Sequence, residues 1–220
     1  MTTIRYCIRQ LEQLGQLLFV GCLSCLSCFV CSCSESDDES VSAEFANWQA
    51  RNDTFFLTLE DSLRSNTTLW AKWKSYTKNA QAVGANTDYV YAKLVQKGDG
   101  SDSPLYTDTV RIAYRGRLIP SASYPQGYVF DQTFVGDYDI STTDVYDAAI
   151  SGFTEGFATA LQHMHRGDRY LVYVPYALGY GTTTSSSGKV PACSVLVFDI
   201  VLIDYVTGTN SLIPWSSRQL

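Results

Sequence analysis

Residues 156–181 read GFATALQHMHRGDRYLVYVPYALGYG, and this stretch decides how the rest of the chain is to be folded. Phe157, Leu161 and Met164 fall at i, i+4 and i+7, one apolar stripe of a short helix. Arg166-Gly167-Asp168 ends that helix, since glycine readily takes the left-handed conformation that follows a helical C-terminus. Tyr170 to Val174 is rich in strand formers, and Pro175 stops the strand because proline has no N–H to give to a ladder. Helix, turn, strand and loop follow one another without a linker. Phe157 near the start and Tyr180 near the end are therefore carried on rigid neighbours.

Working outward, the hydrophobic period on both sides is two. Tyr89 to Val95 is a strand, followed by the glycine turn Lys97-Gly98-Asp99-Gly100. Thr109 to Ile119 alternates apolar and charged residues, as a strand with one wet face does. Tyr128 to Asp131 is extended again, Val145 to Ile150 is a further strand, and Ser194 to Tyr205 is a long apolar one. Strands outnumber helices and one short helix lies among them. The expected fold is α+β, an antiparallel twisted sheet wrapped around one helix over residues 86–206.

Before this domain the period is helical. Phe45, Trp48, Phe55, Phe56, Leu59 and Leu63 recur at spacings near 3.6, which predicts a helix over 43–64, and Trp70, Trp73 and Tyr76 extend the pattern. The whole of 43–85 is read as a helical segment, closed by Gly84-Ala85-Asn86. It either packs back on the domain or serves as an arm for a homodimer. Residues 207–220 form a C-terminal tail.

The chain has 220 residues, a net charge of −6 and 7 cysteines. No basic block is present, which argues against nucleic acid as a partner. Cys22, Cys25, Cys28, Cys31 and Cys33 crowd together in C-x-x-C-like spacing, but with only apolar and small residues between them and no His or carboxylate beside them. A targeting segment explains more. Arg5 and Arg9 precede the apolar run Leu17–Ser32, and the acidic Ser34–Glu39 follows at once. Residues 1–32 are read as a signal peptide and 33–42 as a polar tether. Val30-Cys31-Ser32-Cys33 resembles a bacterial lipoprotein box with Cys33 as the acylated residue, Cys22 and Cys28 being rival sites. The acidic run resembles the surface-export signal of lipoproteins of Bacteroidota. The resemblance implies a lipid-anchored protein of the cell envelope.

The order of the pieces between 86 and 206 resembles the FKBP family of peptidyl-prolyl isomerases. The resemblance rests on Lys97-Gly98-Asp99-Gly100, Val110 to Gly116, Val129-Phe130-Asp131, Gly156-Phe157 with Leu161 and Met164, Gly167-Asp168, Val174-Pro175, Leu178 to Gly181, Val190-Pro191 and Leu196 to Asp199. It implies an aromatic cup that receives a proline ring. Tyr114 and Phe130 would form its walls, with Asp131 beside them, Phe157 its floor, and Tyr180 and Phe198 its rim. Phe153 and Val190 match further apolar wall positions, and the backbone N–H of Thr154 matches a donor to the substrate carbonyl. The implied substrates are proline-containing polypeptides, and no cofactor or metal is implied.

Three positions depart from the family. The floor is Phe157 where many members have Trp, the second-wall aromatic is either Tyr138 or Tyr146, and the loop Thr182–Gly188 is polar. These departures sustain a rival reading from another class, in which the cup binds proline segments without turning them. Other chemistry finds little support. His163 and His165 lie two apart and so face apart on a helix, no nucleophile elbow is present, and Asp137, Asp139 and Asp144 lack the Gly and Glu of a calcium loop.

Overall fold

The structure, a computed structural model, describes residues 43–208, 210–212 and 215. The signal, lipid-attachment and tether readings of 1–42 lie outside the described residues. From Trp48 onward the chain builds a seven-stranded sheet with a helix on each face. In chain order the elements are α1 (Trp48–Ser65), β1 (Trp70–Lys74), β2 (Tyr89–Gln96), β3 (Thr109–Arg117), β4 (Val129–Gln132), β5 (Tyr146–Ala149), α2 (Glu155–Leu161), β6 (Arg169–Val174) and β7 (Leu196–Val206). The sheet runs β1-β2-β6-β7-β3-β4, and β5 pairs with β3 on the same edge as β4. Every pairing is antiparallel. The expected α+β class, with an antiparallel sheet around a short helix and a helical segment before it, is what the chain adopts.

Alternation along the strands fixes which side chains meet which helix. Val90 and Ala92 of β2, Val172 and Val174 of β6 and Ile200 and Leu202 of β7 are buried with Phe157, Ala158, Ala160 and Leu161 of α2 in one core. Tyr91, which points the other way, meets Phe56 of α1 edge to face at 5.2 Å. Both faces of β2 are therefore dry, and a purely alternating polar face does not occur there.

α1 is bound to the sheet domain by polar anchors as well as by its apolar stripe. Trp48 Nε1 donates to Ser194 Oγ at 2.8 Å, and Asn52 Oδ1 accepts the Val195 N–H at 2.8 Å. Asn52 is fully buried, and its amide nitrogen also donates to the Trp48 carbonyl at 2.7 Å. A buried amide with both ends satisfied stabilises one seating of the helix and penalises others. The helix thus packs back on its own domain.

The 43–85 segment is not helical throughout. The helix stops at Ser65, and Asn66 Oδ1 accepts the N–H groups of Thr68 and Leu69 to turn the chain. Trp70–Lys74 then pairs with β2 as an edge strand. The aromatic spacing of three that reads as helical instead sends alternate rings to opposite faces. Trp70 stacks on Tyr173 at 5.6 Å, and Trp73 stacks on His163 at 5.0 Å.

α2 is also shorter than its apolar stripe. It ends at Leu161, and the N–H groups of His163 and Met164 reach back three residues to Ala160 and Leu161. Met164 is nonetheless fully buried, so the stripe serves the core beyond the helix end. Gly167 takes φ +83°, the left-handed conformation expected of the turn.

Candidate active site

The cavity opens between the C-terminal half of β3, β4, the start of α2 and the loop after β6. Its volume is about 540 Å³, and its wall includes Tyr114, Phe130, Asp131, Tyr146, Phe153, Thr154, Phe157, Tyr180 and Phe198. β3 supplies Tyr114, β4 the adjacent Phe130 and Asp131, and β7 supplies Phe198 from the centre of the sheet. Gly116 of β3 lies opposite both Asp131 and Phe198. A Cβ there would stand 2.6 Å from Phe130 Cζ and 2.8 Å from Phe198 Cε1, so the two rings can meet only across a glycine.

The rings form a continuous set of contacts. Phe153 stacks on Phe157 at 4.7 Å with 16° between planes, and Phe157 meets Phe198 edge to face at 4.8 Å. Phe198 meets Phe130 at 5.6 Å, and Tyr114 meets Phe157 at 5.8 Å, both nearly perpendicular. Offset and perpendicular arrangements of this kind are the favourable ones for aromatic quadrupoles. Phe130, Phe157 and Phe198 are buried and make a dry floor, whereas Tyr146 and Tyr180 are exposed at the rim.

The polar groups at the rim are donors and one carboxylate. Tyr114 Oη donates to Asp131 Oδ2 at 2.6 Å. Burial, and then the bond to Asp131, holds the Tyr114 phenol well above its ordinary range. Burial, with the charge of Asp131 added, raises the Tyr180 phenol as well. Both phenols are therefore neutral at physiological pH and able to donate. Thr154 caps α2 with extended backbone, φ −60° and ψ 153°, and its N–H has no acceptor among the described residues. The hydroxyls in the wall belong to Tyr, Ser and Thr, and neither histidine is in it. His163 lies against Trp73 and His165 beside Asp168, both outside the cavity. The arrangement can desolvate an apolar ring and donate hydrogen bonds to a carbonyl next to it.

The sequence-predicted residues Tyr114, Phe130, Asp131, Phe153, Thr154, Phe157, Tyr180 and Phe198 are thus brought together. Val190 is not in the cavity wall. It is buried in the main core, and its backbone closes the polar loop through the pairs Ser185 N–H to Val190 O, 2.9 Å, and Val190 N–H to Ser185 Oγ, 3.1 Å. The alternative between Tyr138 and Tyr146 resolves to Tyr146, which lines the cavity and contacts both Tyr114 and Phe153. Tyr138 instead packs on Phe134 on the opposite face of the sheet. Ala148, Ala149, Ser151 and Gly152 complete the wall; only Ser151 among them has a polar side chain, and no local pattern in the sequence marks these small residues as wall positions.

Residues 100–203 match the family model described as FKBP-type peptidyl-prolyl cis-trans isomerase. The macrophage infectivity potentiator of Trypanosoma cruzi is 35% identical over 114 residues, 52% of this chain and 52% of that protein. The FKBP-type peptidyl-prolyl cis-trans isomerase FkpA of Escherichia coli K12 is 33% identical over 138 residues, 61% of this chain and 45% of that protein. The crystal structure of FkpA from Escherichia coli aligns over 92% of this chain and 71% of that chain at 19% identity, with a TM-score of 0.49. The chain spans about half the length of the curated relatives it matches. The match to the FKBP-type peptidyl-prolyl cis-trans isomerase model over residues 100–203 takes in every wall residue of the cavity, so the site lies wholly within the part of the chain that is similar to that family.

Proposed function

We propose that the protein is a peptidyl-prolyl cis-trans isomerase that turns X–Pro bonds in polypeptides. The observation that carries this reading is a dry aromatic floor with hydrogen-bond donors at its rim and no activated nucleophile in its wall. The barrier to rotation is roughly 18–20 kcal/mol and comes from resonance between the nitrogen lone pair and the carbonyl. The planar imide is more charge-separated than the twisted one. Taking it out of water onto Phe157, Phe130 and Phe198 therefore disfavours the ground state relative to the transition state. Tyr180 Oη and the Thr154 N–H donate to the carbonyls of the twisted form, and Asp131 orients Tyr114 at the wall. An acceleration of about 10⁴ to 10⁶ asks for only about 5.5–8 kcal/mol, and no proton need be moved.

The test is NMR exchange on a short X–Pro peptide with the protein present. Enhanced cis–trans exchange is the expected result. Saturable binding without enhanced exchange would leave a proline-binding module, the reading favoured by the smaller platform that Phe157 offers in place of Trp.

The same reading sets the protein in the cell envelope, with a lipid on Cys33 and secreted or surface polypeptides as clients. The apolar run, the Cys33 box and the acidic residues after it support this. Cys33→Ala is expected to release the protein from the membrane fraction while Cys22→Ala and Cys28→Ala do not; retention of the Cys33 variant would remove the assignment. A homodimer through α1 would have to use its outer side, where Leu57 is 64% exposed, because the inner stripe is buried in the core. Leu57→Glu is expected to lower the sedimenting mass if that dimer forms.

A further inference from the structure

An exposed apolar patch borders the cavity on the side of Thr154. Tyr76 and Tyr106 lie ring against ring at 4.8 Å, and they are 41% and 37% exposed. Leu105 beside them is 65% exposed. Such side chains scattered singly would need no explanation, but these are gathered at one place.

Two connections set this patch next to the cavity wall. Glu155 follows the wall residue Thr154 directly, and its carboxylate accepts hydrogen bonds from Ser75 Oγ and Thr77 Oγ1, the neighbours of Tyr76 on either side. On the other strand of the chain, Ile150, which precedes the wall residue Ser151, donates its N–H to the Asp108 carbonyl at 3.0 Å. Asp108 in turn holds the Leu105 N–H through Oδ2 at 2.8 Å. The wall segment 150–155 is thus clamped from both sides to the residues that carry the patch. Summing covalent geometry through Glu155 places the Tyr76 Cα within about 17 Å of the Thr154 Cα, the span of roughly four to five extended residues.

The Glu155 carboxylate is half-buried and engaged by the two hydroxyls, and Asp108 is buried and engaged by a backbone N–H, so the exposed large side chains here are the two rings and Leu105. A polypeptide whose proline sits on Phe157 and whose carbonyl is held by the Thr154 N–H has this wall segment beside one of its two flanking ends.

We propose that Tyr76, Leu105 and Tyr106 form a second contact surface for the same substrate chain, binding an aromatic or leucine side chain about four residues from the proline. The preferred substrate is then an extended apolar segment of an unfolded polypeptide and not a short X–Pro peptide. This rests on the isomerase reading of the cavity.

The variant Tyr76→Ser/Leu105→Ser/Tyr106→Ser removes the patch and leaves every wall residue in place. Its probes are a four-residue X–Pro peptide and a fluorescent twelve-residue peptide with one central proline and Phe or Leu four residues to each side. For the wild type, kcat/KM on the longer peptide is expected to exceed that on the shorter by about tenfold. The variant is expected to lose that advantage and keep its activity on the four-residue peptide within about twofold. Equal kcat/KM for the two peptides in the wild type, or an unchanged ratio in the variant, would overturn the proposal. Fluorescence anisotropy of the longer peptide separates this from failure of the isomerase reading. Binding that weakens about tenfold in the variant supports the patch even if neither peptide is isomerised. Thermal unfolding of the variant, and Tyr76→Phe/Tyr106→Phe, which retains the rings, guard against a folding defect being read as a binding one.

Discussion

Asp168→Ala is expected to destabilise the protein by about 3–5 kcal/mol, the scale for removing one partner of a buried charged network. The Asp168 side chain is completely buried. It accepts the Gly98 N–H at 2.7 Å and the His165 N–H at 2.9 Å, and Lys97 Nζ approaches at 3.1 Å. These bonds tie the glycine turn at 97–100 to the chain between α2 and β6. The two backbones approach so closely that a Cβ on Gly98 would stand 2.1 Å from the Arg166 carbonyl oxygen. Alanine would leave two N–H groups without an acceptor in a place too tight to admit much water. Burial alone raises the Asp168 carboxyl. The bonds from the Gly98 and His165 N–H groups and from Lys97 outweigh it and hold the group below its ordinary range. A depressed native value means that the carboxylate stabilises the fold above the unfolded-state pKa of about 3.9, and that this contribution fades as pH falls through the native value. Urea denaturation at neutral and acid pH measures both effects. A loss below about 1 kcal/mol at neutral pH would show that the turn is held by other contacts.

The second large effect is expected in catalysis. The double variant Asp131→Val/Tyr180→Phe should lower kcat/KM on an X–Pro peptide by about 100-fold, since a donor or orienting bond made in the transition state is worth roughly 1.5 kcal/mol each. Both positions are at the exposed rim, and neither contributes a ring to the buried floor, so the fold should stand. Tyr180→Phe removes a donor and keeps the ring. Asp131→Val leaves the Tyr114 hydroxyl without its acceptor at 2.6 Å and free to turn. Peptide binding should fall far less than turnover, because the floor that desolvates the proline remains. Equal losses in binding and turnover would mean that these groups grip the ground state, which is the behaviour of a binding module. Exchange NMR and equilibrium binding on one sample give both numbers.

Much of this site was legible because the family resemblance attaches to strand ends and to the start of α2, where local pattern and position agree. Phe130-Asp131 and Gly156-Phe157 are of that kind. Tyr138 and Tyr146 were not separable, since the polar stretch between β4 and β5 has no period to say which aromatic turns inward. Register supplies the answer, as Tyr146 pairs with Ile112 on the edge of β3 and so reaches Tyr114. Val190 carries an apolar side chain in the right order along the chain, but loop closure through Ser185 directs it into the core. The Trp70–Tyr76 stretch misleads for a different reason. Three-residue spacing satisfies a helix, and it equally satisfies a strand whose two faces are both covered. The short turn at Asn66 is the local sign that the helix has ended.

The strand at Trp70–Lys74 and the helix before it alter where the folding unit begins. β2 opens the part of the chain first read as the domain, yet it is an interior strand, hydrogen-bonded to β1 along five residue pairs from Trp70↔Lys93 to Lys74↔Tyr89. A chain started at Asn86 would turn that ladder into a bare edge and uncover Tyr91 and Tyr173 together. An edge with apolar faces and unpaired N–H groups is a template for adding a strand from another molecule. The N-terminal segment therefore acts as the domain's own protection against self-association, with Lys72 and Lys74 on the new edge as the charges that discourage further growth.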